Sequence, residues 1–345
     1  MQFNWVTTLA SLACPIYFEQ SYLSLFANHS GAKLVILQLT KNSSLAFLPL
    51  ELQPVGDDYW EASSTYGYGG LWSDEAFFVT PEEHAALLDF LQSQRIIAVF
   101  LRHAPFAQNQ YCWPENKHTL NRFTYTRELE ANITLTEFCA SSHQKIRWSI
   151  NAALRQHLVV EFQSAESWNA SDVKDFYRIY HAAMSEKKTN SFYLFDEEFF
   201  LLHSSAFGRQ CELAIVRDTK NNQIIAGALF LMDTAGWVHY HLSALMRDYP
   251  ASQFHELLLA ESIVHYGNRG YTFFHLGGGH TLDESDGLSL FKKKFATKKL
   301  NFDVSTWICN EKIYYQERQL LPLQHPTYFL INEARGEQGV LFNSL

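Results

Sequence analysis

The residues best suited to chemistry lie in one stretch, between positions 274 and 299. It reads FHLGGGHTLDESDGLSLFKKKFATKK, an apolar strand followed by three glycines, an acidic loop and a Phe-Lys-Lys-Lys-Phe run. Such residues occur in phosphate-binding loops, in nucleic-acid-binding patches and in the walls of acyl-transfer sites. From the residues alone, the lysines at 292–294 are also typical of a solvated helix face beside the acidic loop.

The three glycines allow a sharp turn at the end of a buried strand and a close approach of other backbone. Gly277 and Gly278 would equally let a substrate approach the strand end, and the two interpretations are compatible. A triple glycine by itself does not define a phosphate-binding loop.

Charge and cysteine content exclude several classes of protein. The net charge of −9 argues against a general nucleic-acid binder, whose field should be positive, although a local basic strip stays open. Lys293, Lys294, Lys298 and Lys299 could contact the phosphates of an RNA acceptor stem or of a nucleotide sugar. The five cysteines form no C-x-x-C pair, which indicates reduced thiols rather than a disulfide framework or a zinc site.

The N-terminal sequence MQFNWVTTLASLACPIYF has no Lys or Arg, so it lacks the basic region of a signal peptide. No apolar run reaches the length of a membrane span. We therefore expect a cytoplasmic protein with no transmembrane segment, and any membrane contact would be peripheral.

Elements that could position these residues occur in two similar arrangements. An aromatic strand and loop, a Pro-initiated helix and a buried strand follow one another at 66–101 and again at 239–276. Thr80 and Glu83 predict a capping box for the first of these helices. Further helices are expected after Ser142, Ser171 and Asp196, and the runs at 211–217, 223–232 and 237–245 predict an antiparallel meander.

Specific residues then connect this pattern to a family. The stretch 224–279 and the segment DGLSLFKKKFA resemble the Fem family, the peptidoglycan-bridge aminoacyltransferase-like branch of the GNAT superfamily. The YGYGG segment at 66–70 and the helix KIRWSINAALRQHLVVEF are similar to it as well. The resemblance implies an α/β chain of two tandem GNAT-like domains, each a mixed, mainly antiparallel sheet flanked by helices. The first, at 1–135, would serve the acceptor, and the second, at 136–345, the donor and the transfer site.

The function implied by the resemblance is transfer of an aminoacyl or other acyl group to an amine. The acceptor would be a cell-wall or surface-polysaccharide precursor such as a nucleotide-linked sugar, and charged tRNA is a candidate donor. Enzymes of the GNAT superfamily that use acyl-CoA bind its pyrophosphate with a glycine-containing loop, whereas the matching stretch MRDYPASQFHE at 246–256 has no glycine. No cofactor is therefore expected. An acyl-CoA-dependent acetyltransferase acting on an amino sugar and a non-catalytic double-GNAT binding module stay open as alternatives.

By resemblance, Phe291 and Lys292 lie in the transfer channel, where Lys292 would stabilise the oxyanion or orient the ester. Aromatic, glycine and basic residues elsewhere complete a predicted substrate-binding set, namely Tyr66, Tyr68, Gly69, Trp72, Arg102, Arg147, Tyr240, His241, Gly277, Gly278, Lys293 and Phe295. A metal site formed by His239 and His241 with His275 or His280 is disfavoured, because no carboxylate cluster accompanies them. A serine hydrolase is disfavoured because no G-x-S-x-G motif is present.

Overall fold

A computed structural model of the chain describes residues 1–9, 14–186, 191–249, 253–320 and 322–335. These ranges contain twelve β-strands and ten α-helices. The strands are β1 (Gln2–Val6), β2 (Lys33–Lys41), β3 (Ser44–Val55), β4 (Tyr59–Ser63), β5 (Ile96–Arg102), β6 (Thr119–Glu128), β7 (Leu158–Ser164), β8 (Cys211–Asp218), β9 (Gln223–Met232), β10 (Trp237–Leu245), β11 (Phe273–Gly278) and β12 (Lys298–Ile308). The helices are α1 (Gln20–Ser30), α2 (Pro81–Ser93), α3 (Leu135–Ser141), α4 (Gln144–Arg155), α5 (Ala170–Glu186), α6 (Glu197–Phe207), α7 (Phe254–Asn268), α8 (Gly287–Lys293), α9 (Glu311–Leu320) and α10 (Ile331–Arg335).

The first of two compact units comprises Met1–Arg122 and Asn301–Leu345. Its strands lie in the order β1-β2-β3-β4-β5-β12, antiparallel except for the parallel pair β4–β5. Helix α2 covers one sheet face with Leu87 and Leu91, both fully buried in an apolar core.

The second unit comprises Phe123–Leu300. Its strands lie in the order β6-β11-β10-β9-β8-β7, and among the pairings described only β10–β11 is parallel. Helices α3, α4 and α7 pack over a core that contains Phe274, Leu276 and Phe295. Helix α5 contacts the other face, where Phe176 lies against Gly227.

Both units therefore have the predicted α/β architecture, a mixed and mainly antiparallel sheet flanked by helices, and this prediction is confirmed. The division of the chain differs from the expected one, which assigned residues 301–345 to the second domain. In the structure this segment belongs to the first unit because β12 pairs antiparallel with β5, for example through Val304 and Arg102.

Local sequence explains most helix starts. Thr80 and Glu83 form the predicted capping box of α2, with Pro81 in its first turn, and Asp196 caps α6 as predicted. The helix expected after Ser142 is present as α4, but Ser142 is not its N-cap residue. A second capping box, Thr134 with Glu137, begins the additional helix α3, Ser142 is the C-cap residue of α3, and α4 begins at Gln144.

The start expected at Ser171 is also displaced, because α5 begins at Ala170. The Asn169 side chain accepts a 2.9 Å hydrogen bond from the Ser171 N–H, so the capping group lies before the serine. Among the described helices, none combines the length and the apolar character that a bilayer crossing requires.

Candidate active site

The parallel strands β10 and β11 separate soon after they begin to pair. They are in register at only three positions, from Trp237 opposite Phe273 to His239 opposite His275. Beyond that point β10 stays paired with β9, and the register of this pair shifts between Tyr240 and Leu242. Strand β11 stays paired with β6, and the register of that pair shifts between His275 and Gly277. The divergence leaves the remainder of β10 without pairing to β11, which is the kind of opening that admits a ligand into an α/β sheet.

Lys292 lies at the β11 side of this opening. Its side chain is buried, 8% exposed, and its ammonium donates a 2.7 Å hydrogen bond to the carbonyl of Gly278. Burial of a lysine is rare because a charge loses hydration energy there. The structure thus brings together two predicted site residues, and it distinguishes Lys292 from the exposed lysines that follow it.

The glycines are explained by this arrangement. Gly277 has φ +73°, a left-handed conformation, at the β11 irregularity. A Cβ on Gly279 would overlap the hydroxyl of Ser289 and lie 2.5 Å from the carboxylate of Asp286. Asp286 in turn accepts hydrogen bonds from the backbone N–H groups of Leu288 and Ser289 and so caps α8. The triple glycine therefore allows α8, and with it Lys292, to lie close against the strand end.

A stacked and hydrogen-bonded group lies beside Lys292. The ring of Phe291 stacks on that of His255, with centroids 4.5 Å apart and an interplanar angle of 21°. The Nε2 atom of His255 is 2.6 Å from the hydroxyl of Tyr240. Phe295 is fully buried beneath Phe291 in the core, so its position supports that ring rather than presenting a surface.

The remaining lysines of the run form ion pairs. Lys293 and Lys299 both contact Glu284, at 2.7 and 2.8 Å, and Lys294 lies 3.8 Å from Glu256. Lys298 contacts Glu128. The two ammonium groups on Glu284 lower its pKa to about 2 through hydrogen bonds and charge. The basic strip expected from the sequence is therefore largely neutralised by carboxylates.

A histidine pair lies where β10 and β11 part. The Nδ1 atoms of His239 and His275 are 3.5 Å apart, and Nε2 of His239 is 3.4 Å from the Asp233 carboxylate. Burial, together with the charges of His239 and Lys292, lowers the pKa of His275 well below its usual value.

His241 contacts a different partner, His203 on α6, with ring centroids 6.1 Å apart. Burial lowers the pKa of His241 well below its usual value, so its imidazole is neutral near pH 7. Within the described ranges, no three His, Cys, Asp or Glu side chains are grouped so that they could hold a metal ion.

The first unit holds the other predicted site residues. Tyr68 contacts Tyr17 edge-to-face at 5.1 Å, and Tyr66 stacks on Phe26 at 4.9 Å. Trp72 pairs through its backbone with Phe47, and its ring centroid lies 5.5 Å from that of Phe18 in the turn before α1. Both tyrosines are half-buried against α1 and the turn before it.

Arg102 is buried at the base of the 66–70 loop. Its guanidinium donates to the carbonyls of Ser64 and Thr65 at 2.5 and 2.8 Å, and its own carbonyl accepts from the Gly69 N–H at 2.7 Å. Asn109, which the sequence did not single out, donates to the carbonyls of Gly69 and Leu71. The arginine therefore holds the loop in shape, and these bonds use much of its donor capacity.

Glu51 also escaped the sequence analysis. It is 1% exposed, accepts a 3.1 Å hydrogen bond from Ser30, and burial raises its pKa to about 7 despite the nearby charge of Arg102. No spacing in the sequence marks it, because it lies in the apolar strand β3. His255 was also missed, because it lies within the segment 246–256, where the sequence indicates only the lack of a glycine-containing loop.

Arg147, the last predicted site residue, lies exposed on α4. Of the 246–256 stretch, residues 250–252 fall outside the described residues. The chain resumes at Gln253, whose φ of +72° precedes the first turn of α7. That turn contains Glu256.

Comparison with known proteins gives a consistent result. Residues 140–285 match the family model described as acetyltransferase (GNAT) domain. No curated protein matches the chain. Among solved structures, FemX has a TM-score of 0.63 at 12% identity, covering 88% of this chain and 94% of FemX.

Two further structures extend over similar lengths. L-PGS from Bacillus licheniformis has a TM-score of 0.57 at 13% identity, covering 87% of this chain and 95% of its own. A tandem GNAT protein from the clavulanic acid biosynthesis pathway has a TM-score of 0.51 at 9% identity, with coverage of 90% and 99%. At such identities the likeness establishes the fold. The resemblance to the GNAT superfamily is thereby confirmed for residues 140–285, and the chain shares the fold of FemX, L-PGS and the tandem GNAT protein over most of its length.

Proposed function

We propose that this protein is an N-acyltransferase that moves an aminoacyl or other activated acyl group to an amine on a cell-wall or surface-polysaccharide precursor. The observation that carries the proposal is the buried Lys292, held by the Gly278 carbonyl at the point where β10 and β11 diverge. A binding module without catalysis would have no need to retain a buried ammonium there, because its desolvation is unfavourable.

The reaction requires a neutral amine to attack an ester or thioester carbonyl. A C–N bond forms, the bond from the carbonyl carbon to the leaving oxygen or sulfur breaks, and the proton lost by the amine is passed to that leaving group. Lys292 provides a positive charge near the developing oxyanion, and the restricted surroundings strengthen that interaction. The Tyr240–His255 pair is the nearby group that can accept the proton, with Phe291 holding the imidazole plane.

The first turn of α7 bears on the choice of donor. A pyrophosphate bound there would use the free N–H groups and the positive end of the helix dipole. Glu256 lies in that turn and contributes a carboxylate, partly offset by Lys294 at 3.8 Å. This arrangement opposes a CoA pyrophosphate and favours a donor such as aminoacyl-tRNA. The family description, acetyltransferase, favours acyl-CoA and keeps a CoA-dependent acetyltransferase acting on an amino sugar as the second candidate.

For the acceptor we propose only a class of molecule, a component or precursor of the cell envelope. Two structures that share the fold carry the names FemX and L-PGS. A third is the C-terminal domain of a putative lysylphosphatidylglycerol synthetase from Agrobacterium fabrum, with a TM-score of 0.54 at 17% identity. The last name denotes an aminoacylated lipid product. A cell-envelope acceptor for the present chain is consistent with these names, and Tyr66 and Tyr68 offer faces suited to a sugar ring.

A binding screen tests donor and acceptor together. Purified protein is titrated with acetyl-CoA, charged tRNA, UDP-linked muropeptides and UDP-linked amino sugars, with thermal shift and calorimetry as readouts. We expect stabilisation by charged tRNA or by a nucleotide-linked sugar and none by acetyl-CoA. Tight binding of acetyl-CoA would overturn the assignment of the donor and promote the second candidate.

A substitution series then tests the catalytic role. Lys292→Met should lower transfer at least about 100-fold, as expected when an oxyanion-stabilising group is removed. Lys293→Met is the matched control, because Lys293 is exposed and paired with Glu284. Equal activity of Lys292→Met and the wild type would refute the proposed role of Lys292.

A further inference from the structure

Helix α4 exposes cationic and large apolar side chains on the side that faces away from the core. Helix α4 buries Ile146, Ile150 and Ala153 against the core of the second unit. The side chains on its opposite side are exposed, and we define the α4 outer face by the cationic and apolar residues among them, Lys145, Arg147, Trp148, Leu154 and Arg155.

The cations of this face differ from the lysines that follow Lys292. Among the described residues, none of Lys145, Arg147 and Arg155 forms an ion pair, whereas Lys293, Lys294, Lys298 and Lys299 all do. The chain as a whole carries a net charge of −9. An uncompensated group of three cations on an acidic protein creates a local positive field, and such a field attracts an anionic partner.

Two large apolar side chains lie among these cations. Trp148 is 58% exposed and Leu154 42% exposed. Tryptophan is enriched at membrane interfaces, where its ring meets the acyl boundary and its N–H stays hydrated. A nucleic acid would engage the three cations, but it offers no comparable apolar environment for the exposed Leu154.

We propose that the α4 outer face docks this protein on the surface of a bilayer that contains anionic lipids. Lys145, Arg147 and Arg155 lie near the headgroup phosphates, and Trp148 enters the interfacial region. The docking is peripheral, it depends on salt, and it does not require the acyl-transfer reaction proposed above.

Vesicle flotation with the full chain tests this inference. We expect the protein to float with phosphatidylcholine vesicles that contain phosphatidylglycerol and to stay behind with phosphatidylcholine alone. Each cation near an anionic surface strengthens binding about fivefold, so R147Q/R155Q should weaken it roughly 30-fold. Raising the salt from 0.1 to 0.5 M should release the wild type.

Two controls separate this surface from general charge effects. R178Q and R209Q each remove an exposed arginine that is paired with a carboxylate outside α4, and both should bind like the wild type. W148A should weaken binding without changing the melting temperature, and vesicles with brominated acyl chains should quench fluorescence in the wild type more than in W148A.

Three results would overturn the proposal. The first is that the protein floats equally with neutral and anionic vesicles. The second is that R147Q/R155Q binds anionic vesicles as tightly as the wild type does. The third is that the wild type binds no vesicles but binds a short RNA duplex tightly, and that R147Q/R155Q abolishes this RNA binding. The last would assign the face to nucleic acid instead.

Discussion

The hydroxyl of Tyr240 and the Nε2 atom of His255 are 2.6 Å apart, which joins β10 to the first turn of α7. His255 stacks on Phe291, the residue before the buried Lys292. The hydrogen bond therefore fixes the imidazole within the group that we propose carries the transfer. It also couples the two sides of the opening between β10 and β11.

Tyr240→Phe should lower the transfer rate roughly tenfold, the value expected for loss of one hydrogen bond of about 1.4 kcal/mol. The melting temperature should change little, because the ring stays packed. Tyr111→Phe provides the control, since Tyr111 is 54% exposed in the first unit. Single-turnover rates are the measurement, and an unchanged rate in Tyr240→Phe would remove the Tyr240–His255 pair from the mechanism.

Gly279→Ala should destabilise the protein by about 1–3 kcal/mol, the range for overpacking a filled site. The new methyl group would overlap Ser289 and approach Asp286, which caps α8. Gly287→Ala is the matched control in the same segment, because a Cβ there meets no atom within 4 Å. Urea unfolding of both variants measures the free energy of unfolding. Equal values for the two variants would contradict the prediction, because α8 could then move away from the new methyl group without loss of stability.

Glu51→Gln should stabilise the protein at alkaline pH. Burial raises the pKa of Glu51 to about 7 from 4.5, so the folded state binds an extra proton and stability falls as pH rises between these values. At pH 8 the penalty reaches about 3 kcal/mol, and the glutamine avoids it. Melting temperatures at pH 5 and pH 8 should therefore differ less in the variant. A variant advantage that is the same at both pH values would contradict the assignment.

Acid should destabilise the second unit through His203. Burial lowers the pKa of this imidazole from 6.5 to about 4, so the unfolded chain binds a proton first and stability is lost as pH falls below about 6.5. Between pH 7 and pH 5 the loss is about 2 kcal/mol from this residue.

His203→Phe, at a site that contacts Phe199, Phe200 and Phe207, should reduce that dependence. Urea denaturation at the two pH values gives the comparison. If the free energy of unfolding falls between pH 7 and pH 5 by as much in the variant as in the wild type, a group other than His203 causes the acid dependence.

Sequence patterns predicted what short-range forces determine. The capping box at Thr80 and Glu83 and the cap at Asp196 each depend on residues three positions apart. They could be found because side chain and backbone partner lie within one helical turn. The N-cap expected at Ser142 is wrong because a serine can equally follow the end of a helix, as this one follows α3.

Such local patterns do not predict contacts between residues that are distant in the sequence. Nothing near β12 indicates that it pairs with β5, and the residues of the 292–294 run look alike in sequence although only Lys292 is buried. The family resemblance selected Lys292. The partner of Tyr240 and the burial of Glu51 became visible only in three dimensions.

The discontinuity of the first unit has a consequence for biosynthesis. The chain leaves this unit within β6 and returns to it within β12, whereas the second unit is a single stretch of sequence. On the ribosome, all residues of the second unit emerge before most of β12 does. Strand β5 must wait for β12 with one edge unpaired, and an exposed edge is a site where nascent chains associate wrongly. The unit whose translation begins first is thus completed last. The unpaired edge of β5 is the site that molecular chaperones would need to cover.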